Sequence, residues 1–336
     1  ITTVSTMSNT ISTSDEFSHT TVLLPETVAM VLGVKQLNDV TSKVSGVYVD
    51  ATFGRGGHSQ LLLEYLAPEA TLAVFDKDPE AIAVAKSLAA QDERIKVVHD
   101  SFAHLTKNLQ ALGIDKIDGL MADLGVSSPQ LDDGTRGFSF MRDGVVDMRM
   151  DTTRGEPVSE WLQRVSADEL ADVLYEYGEE RHSRKIARAI KSMPNYTSTR
   201  QLAEVIKQAH PAWQKGKHPA TQSFQAMRIF INNELGDVEA FLAQSIGVLK
   251  AGGMLAVISF HSLEDRLIKQ FLQRHSRGQY EEDARLPIIP KRPKYFGKPK
   301  RIGPCDQEVK ANPRARSAWL RGAVRSDVAL VAQDED

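Results

Sequence analysis

Cysteine is almost absent from this 336-residue chain. Cys305 stands alone, so no internal disulfide can form, and no cysteine–histidine cluster with zinc spacing accompanies it. Aromatic residues make up 7%, and no apolar run approaches the ~20 residues that a bilayer-spanning helix needs. That removes the membrane-spanning classes. Internal repeats are lacking as well, which excludes solenoids. The opening stretch ITTVSTMSNTISTSDEFS has neither a basic start nor an apolar core; a secretory signal is therefore not expected, and residues 1–18 read as a disordered extension. A reduced cytoplasmic protein with no metal and no membrane partner fits these absences.

Charge is plentiful but uneven. The net charge is −3, yet residues 291–325 hold 11 of the 41 lysines and arginines against two acids, Asp306 and Glu308. That segment is +9 and the remainder −12. Such a patch suits a phosphate-rich partner, and a solvated basic tail would read the same way.

Short β-branched runs alternate with helical patterns. VYVD (47–50), TLAVFD (71–76), IKVVH (95–99), KIDGLMAD (116–123) and MLAVISF (254–260) read as strands, with helical periodicity at 79–89 and 102–112. This alternation predicts an α/β chain with a mostly parallel sheet. After Asp123, about 130 residues pass before the next core strand, too many for a structureless loop. VSEWLQRV, ADELADVLYEYG, SRKIARAI and TRQLAEVIKQA, within 157–209, fill that gap as helices. The division expected is a core of 19–134 and 216–336 interrupted by a helical insertion at 135–215. A long helical pattern from Thr221 to about Leu249 leads back to the sheet, and SAWLRGAVR (317–325) suggests a final strand.

The turn Gly54-Arg55-Gly56-Gly57-His58-Ser59 follows the first strand and opens a helix, the context in which backbone N–H groups approach a ligand. No Gly-Lys-Ser/Thr follows, so it is not a nucleotide P-loop. Ser59 replaces the third glycine of a dinucleotide fingerprint, which disfavours a nicotinamide dehydrogenase; a purely structural turn is the bland alternative. Asp76 ends the second strand, where a carboxylate can accept from two ribose hydroxyls. Phe102 follows the third strand and could lie against an adenine ring, although it also reads as a core residue. Asp123-Leu124-Gly125-Val126-Ser127-Ser128-Pro129-Gln130 is a polar turn at the carboxyl end of the fourth strand. Ribose and adenine sites without a pyrophosphate grip describe an adenosine-type cofactor, S-adenosylmethionine above all. Asp50, just before the glycines, would suit the ammonium of its methionine part.

These residues also lie within longer motifs: TFGRGGHS (52–59), DLGVSSPQLDD (123–133), RGFSF (136–140), DMRMD (147–151), YGEER (177–181), HPATQSFQAMRI (218–229), SFHSLEDR (259–266) and NPRARS (312–317). In this order, over nearly the whole chain, they resemble the bacterial small-subunit ribosomal RNA cytosine-N4 methyltransferase family, MraW. Slight departures are Ala51 for a usual glycine and Gln222-Ser223 for the commoner Arg-Thr. The resemblance implies a class I, Rossmann-like methyltransferase fold with a helical substrate-recognition insertion. It also implies action on a cytidine in the decoding region of 16S ribosomal RNA. The family's cofactor contacts match Gly56, Gly57, His58, Asp76, Phe102, Asp123 and Gln130.

Methyl transfer to an exocyclic amine needs acceptors that orient the amino protons and offset the positive charge developing on nitrogen. Asp123 with Ser127, Ser128 and Pro129 is the expected orienting turn, although Asp123 could equally serve only to close over the cofactor. Candidates for RNA contact are His218, Arg228, His261, Arg314 and Arg316, alongside Glu264, with the basic segment 291–325 on phosphates. In SFHSLEDR a helix start at Ser262 is an alternative use, and Arg149 between Asp147 and Asp151 reads as a structural ion-pair cluster. The expected substrate is 16S ribosomal RNA within the assembled small subunit, whose target base must be unstacked to reach a pocket. The same chemistry on DNA and a non-catalytic assembly factor stand as alternatives, and the oligomeric state, a homodimer included, stays open.

Overall fold

The computed structural model describes residues 21–211 and 218–331. The expected extension at 1–18 and the boundary expected between 215 and 216 lie outside the described residues. Seven strands form one sheet: β1 Val47–Asp50, β2 Thr71–Asp76, β3 Ile95–His99, β4 Ile117–Asp123, β5 Leu249–Ser259, β6 Lys300–Ile302 and β7 Trp319–Val324. Their order is β3-β2-β1-β4-β5-β7-β6, with β1 to β5 parallel and β7 antiparallel to both of its neighbours. A parallel sheet is covered on both faces, so its strands spell near-continuous apolar runs. LAVF in β2 and GLMA in β4 are such runs, buried throughout. The strand order reverses between β1 and β4, which opens a ligand crevice at their carboxyl ends. This is the expected Rossmann-like class I methyltransferase core.

On one face pack α1 Leu24–Val31, α2 Gly57–Tyr65 and α3 Pro79–Ala89, through Val28, Leu62 and Ala85. The other face is covered by α4 Leu105–Ala111 and by two later helices, α11 Glu234–Val248 and α12 Ser262–Arg277, through Leu105, Phe241 and Ile268. Between the two sets of helices in sequence come α5 Ser128–Asp132, α6 Val158–Arg164, α7 Ala167–Gly178, α8 Ser183–Lys191, α9 Thr199–Ala209 and α10 Ala220–Ile231. A separate apolar cluster joins Trp161, Leu174, Ile186 and Leu202 of these helices to Phe138, Val146 and Met148 of the preceding loop. A short helix, α13 Asp306–Ala311, precedes β7. Among the described residues no helix is long and apolar enough to cross a membrane.

Three differences from the sequence reading have local causes. The pattern from Thr221 to Leu249 is two helices, because Asn233 adopts a left-handed conformation (φ 51°) between α10 and α11. Asparagine tolerates that region, and periodicity does not register one such residue. Ala220, Phe224 and Met227 of α10 pack in the helical cluster, so by packing α10 joins the insertion although 216 onward was assigned to the core. Finally, β5 begins at Leu249 and β6 is a three-residue edge strand within the basic segment. Neither β5's Lys-Ala-Gly-Gly stretch nor Lys-Arg-Ile carries strand alternation.

The insertion is tied to the core by a buried ion pair. Arg136 Nη1 donates to Asp78 Oδ2 at 2.9 Å, and its Nη2 reaches the carbonyls of Arg149 and Met150; Arg136 and Asp78 are 6% and 5% exposed. Removing one partner of such a pair strands a buried charge. Arg136→Met should therefore lower unfolding free energy by about 3–5 kcal/mol, measured by denaturant titration. An exposed change such as Arg200→Met should shift it by under about 0.5 kcal/mol.

Candidate active site

A cavity of about 390 Å³ opens at the carboxyl ends of β1, β2 and β4. The glycine turn forms one side. Gly54 and Gly56 have φ of 56° and 83°, and a side chain at Gly56 would strike the Phe53 ring. Gly57 begins α2 so close to Thr21 that a methyl group there would collide with the threonine hydroxyl. Asp76 ends β2; its Oδ2 accepts from Gly54 N and its Oδ1 from Asp78 N, both at 2.8 Å. Each oxygen retains acceptor capacity, enough for a pair of vicinal hydroxyls. Burial lifts the Asp76 carboxyl above its ordinary range despite those N–H groups. Beside it Phe102, Ala81 and Val238 make an apolar wall, with Phe102 braced edge-on by Phe241 at 5.2 Å. A diol acceptor next to an apolar slot meets the demands of an adenosine.

Asp123, the last residue of β4, lines the cavity. Thr52 Oγ1 accepts from its backbone N–H at 2.6 Å. Its Oδ1 is buried and, among the described residues, has no hydrogen-bond partner. Burial, then the charges of Asp50 and Glu264, hold this carboxyl well above the usual carboxylate range. His58 Nδ1 lies 3.8 Å from Asp123 Oδ2, while Nε2 donates to the Val22 carbonyl at 3.1 Å. Burial pushes His58 down to about 4, so the ring is neutral near pH 7 and holds the turn before α1 in place through the Val22 carbonyl.

Most of the expected cofactor residues line the cavity: Gly57, His58, Asp76, Phe102, Asp123 and Gln130. Gly56 does not, and serves the turn instead. Gln130 is held in the wall, its Oε1 accepting from Ser127 N (2.9 Å) and its Nε2 donating to Asp78 Oδ2 (2.8 Å). Ser127 and Ser128 line the wall, whereas Pro129 lies within α5 outside it. Asp50 departs from its expected use. It is 2% exposed, accepts from Ser59 Oγ (2.7 Å) and Thr52 N (3.1 Å), and does not line the cavity.

The expected RNA residues divide. Arg314 lines the cavity and pairs with Asp132 at 3.1 Å; Arg316 is exposed outside it. Arg228 lines the cavity too, but its guanidinium is engaged with Glu234 by two bonds of 2.7 and 2.8 Å, so it is an internal counter-charge and not a free phosphate ligand. His218 accepts from Ala220 N at 3.1 Å and lies against Phe140, away from the cavity. α12 begins at Ser262, the helix start read in SFHSLEDR, with His261 capping it, and the His261 Nε2 stands 3.1 Å from Glu264 Oε1. Burial raises Glu264, yet His261 and Arg228 outweigh it and leave the group below its ordinary value. Glu234, His261 and Glu264 bring ligand-type atoms within 4.8 Å of one another. Arg228 already balances Glu234, so the group works as a buried ion network and not as a metal cradle. Arg149 pairs with Asp147 in the expected ion-pair role. Asp100, Glu234, Asp237, Phe260 and Asn312 line the cavity without having been singled out. Two of these had a sequence signal, Phe260 at the end of a predicted strand and Asn312 at the start of NPRARS.

The sequence pattern of the MraW methylase family matches residues 16–326. The chain is 72% identical over 312 residues, 93% of this chain and 92% of the other, to the ribosomal RNA small subunit methyltransferase H of Psychrobacter sp. (strain PRwf-1). It is 53% identical over 308 residues, 92% of this chain and 98% of the other, to the protein of the same name from Acinetobacter baumannii (strain SDF). Among solved structures, an rRNA methylase from Streptococcus thermophilus covers 90% of this chain and 93% of its own, at 11% identity and a TM-score of 0.35. That likeness is too loose to bear on function.

The buried Asp50 gives a pH test. Burial, with an added push from the charge of Asp76, raises it to about 6 and outweighs its Ser59 and Thr52 bonds. Unfolded aspartate releases its proton near pH ~4, so the folded chain binds more protons between those values, and stability falls as pH rises through that window. Asp50→Asn removes this slope. The variant should melt higher than wild type at about pH 8 and converge with it below about pH 4. A variant that melts lower at the higher pH would refute the raised value.

Proposed function

This chain belongs to the MraW methylase family, and from that membership we propose that it methylates the exocyclic N4 of a cytidine in the decoding region of 16S ribosomal RNA. Its relatives make it an S-adenosylmethionine-dependent methyltransferase of small-subunit ribosomal RNA; the atom and the region are our reading. S-adenosylmethionine supplies an electrophilic methyl group on a sulfonium. Asp76 is the acceptor for the ribose hydroxyls, Phe102 with Ala81 and Val238 is the adenine wall, and the Gly54–Gly57 turn allows close backbone approach.

One observation carries the choice of an amine: the buried Oδ1 of Asp123, on the cavity wall and without a hydrogen-bond partner among the described residues. The cytosine amino group offers two N–H donors and a lone pair delocalised into the ring. An acceptor that binds one N–H draws the nitrogen toward a pyramidal, nucleophilic geometry and holds it in near-attack position. Asp123 is raised by Asp50 and Glu264, and it ionises more readily once positive charge lies beside it. In that state it stabilises the charge growing on the amine. Its hydrogen bond then provides a path for the departing proton. The basic segment 291–325 supplies phosphate contacts, and a target in the decoding region is met in an assembled small subunit in the cytoplasm.

Purified protein incubated with S-adenosylmethionine and unmodified small subunits should yield N4-methylcytidine on mass spectrometry of the digested RNA. Asp123→Ala should abolish it while binding of S-adenosylhomocysteine persists. No methylated nucleoside despite cofactor binding would sink the reading in favour of an assembly factor. Methylation should weaken steeply with salt if the basic segment grips phosphates.

A further inference from the structure

Three aromatic side chains belong to the cavity wall: Phe53, Phe102 and Phe260. Phe53 is 3% exposed beneath the glycine turn and presents no free face. Phe102 lies on the Asp76 side, with the apolar wall assigned above to adenine. Phe260 is left, on the opposite side of Asp123, and we propose that its ring is the floor of a nucleobase subsite on which the target cytosine stacks. This rests on the methyltransferase reading and deepens it.

The register of the sheet places the ring. Asp123 pairs with Ile258 across β4 and β5, and Leu124 N donates to the Ile258 carbonyl beyond it. Phe260 directly follows β5 and packs against the same apolar cluster as Ile258, which puts it on the face of the sheet shared by Ile258 and its partner Asp123. Gly125 stands beside it with φ 92°; a methyl group there would touch the Phe260 Cδ2 at 3.6 Å. The glycine therefore leaves the ring uncovered toward the cavity, and its left-handed backbone keeps that position free of a side chain. The mount is rigid: Phe260 N donates to Glu264 Oε2 at 2.9 Å, and the ring is packed against the core cluster of α1, α2 and β5.

The surroundings suit a base more than a second apolar group. Ser127, Glu264, Asn312 and Ser317 line the same cavity, as does Asp123 with its unpartnered Oδ1 acceptor. An extruded base loses its stacking neighbours and is typically held by an aromatic face with hydrogen bonds at its edge. The turn after β4, Ser127-Ser128-Pro129-Gln130, holds no aromatic residue to do this. Phe260 provides it from the neighbouring strand, with the amino edge of the base directed at Asp123.

The experiment compares Phe260→Leu, which keeps apolar bulk without a π-face, with Phe260→Tyr, which keeps the ring. Each is assayed for methyl transfer to unmodified small subunits and for S-adenosylhomocysteine affinity by calorimetry. Phe260→Leu should lower kcat/KM by about 10- to 100-fold, the usual weight of one base–aromatic stack. Phe260→Tyr should stay within about threefold of wild type, and both should bind S-adenosylhomocysteine as wild type does. Leucine at full activity, tyrosine as damaged as leucine, or a parallel loss of S-adenosylhomocysteine affinity would each overturn the subsite. Wild-type protein that makes no N4-methylcytidine would instead overturn the parent reading.

Discussion

A single buried carboxylate, that of Asp78, holds the cavity in shape. Its Oδ1 accepts from Glu80 N at 2.9 Å and starts α3; its Oδ2 accepts from Gln130 Nε2 at 2.8 Å and from Arg136 Nη1 at 2.9 Å. Three segments distant in sequence thus converge on one side chain: the loop after the ribose acid, the turn after β4 and the chain leading to the insertion. A carboxylate with three charge-assisted or backbone donors tolerates burial that would otherwise be severely unfavourable. Because Arg136 also binds the carbonyls of Arg149 and Met150, the loop that leads to the helices is positioned from the cofactor side of the sheet.

The crevice beside this junction collects negative charge by geometry. Parallel strands end at one edge, so Asp50 of β1, Asp76 of β2 and Asp123 of β4 are brought close together at the carboxyl ends. Burial raises all three, and mutual repulsion adds to it at Asp50 and Asp123. Such an arrangement opposes folding at neutral pH and is retained where a ligand offsets it. A cationic sulfonium and an amine acquiring charge are ligands of that sign. On the far wall Glu264 adds to the field at Asp123, while Arg228 and His261 keep Glu264 itself ionised. The site therefore holds one carboxyl that protonates readily next to one that does not.

The sequence made the sheet readable and left the far wall hidden, for physical reasons. The first two strands are legible to the residue because doubly covered parallel strands must be apolar along their length, and the edge strand β3, with Lys96 exposed, because its β-branched run stands between two helical patterns. Asp76, Phe102 and Asp123 follow, since each sits at or just past a strand end, where open α/β sheets bind ligands. Arg228, His218 and His261 look like solvent-facing cations in the sequence. Their partners decide otherwise: Glu234 six residues on, Phe140 across the insertion, and Glu264 across the start of α12. A charge pattern gives the presence of a cation but not its counter-ion. Asp50 was misjudged for a similar reason, as its neighbour in space is the Ser59 hydroxyl on α2. Phe260 lies in SFHSLEDR, yet its meaning depends on Gly125 in the turn after β4, about 130 residues earlier, a proximity that only the crossover topology supplies.

The insertion is fastened to the cofactor side a second time, at its other end. Asn232, between α10 and α11, accepts from Met150 N and donates to the Met148 carbonyl, each at 2.7 Å, while its own carbonyl accepts from Lys77 Nζ at 2.9 Å. Lys77 lies between Asp76 and Asp78 and also pairs with Asp237 of α11. Both ends of the helical insertion are therefore held by consecutive residues of the loop that carries the ribose acid: Asp78 holds Arg136, and Lys77 holds Asn232. A shift of that loop on cofactor binding would strain both attachments, the buried Arg136–Asp78 ion pair most, since stretching it leaves a buried charge unpaired. The helical cluster and the cofactor crevice consequently share one set of constraints.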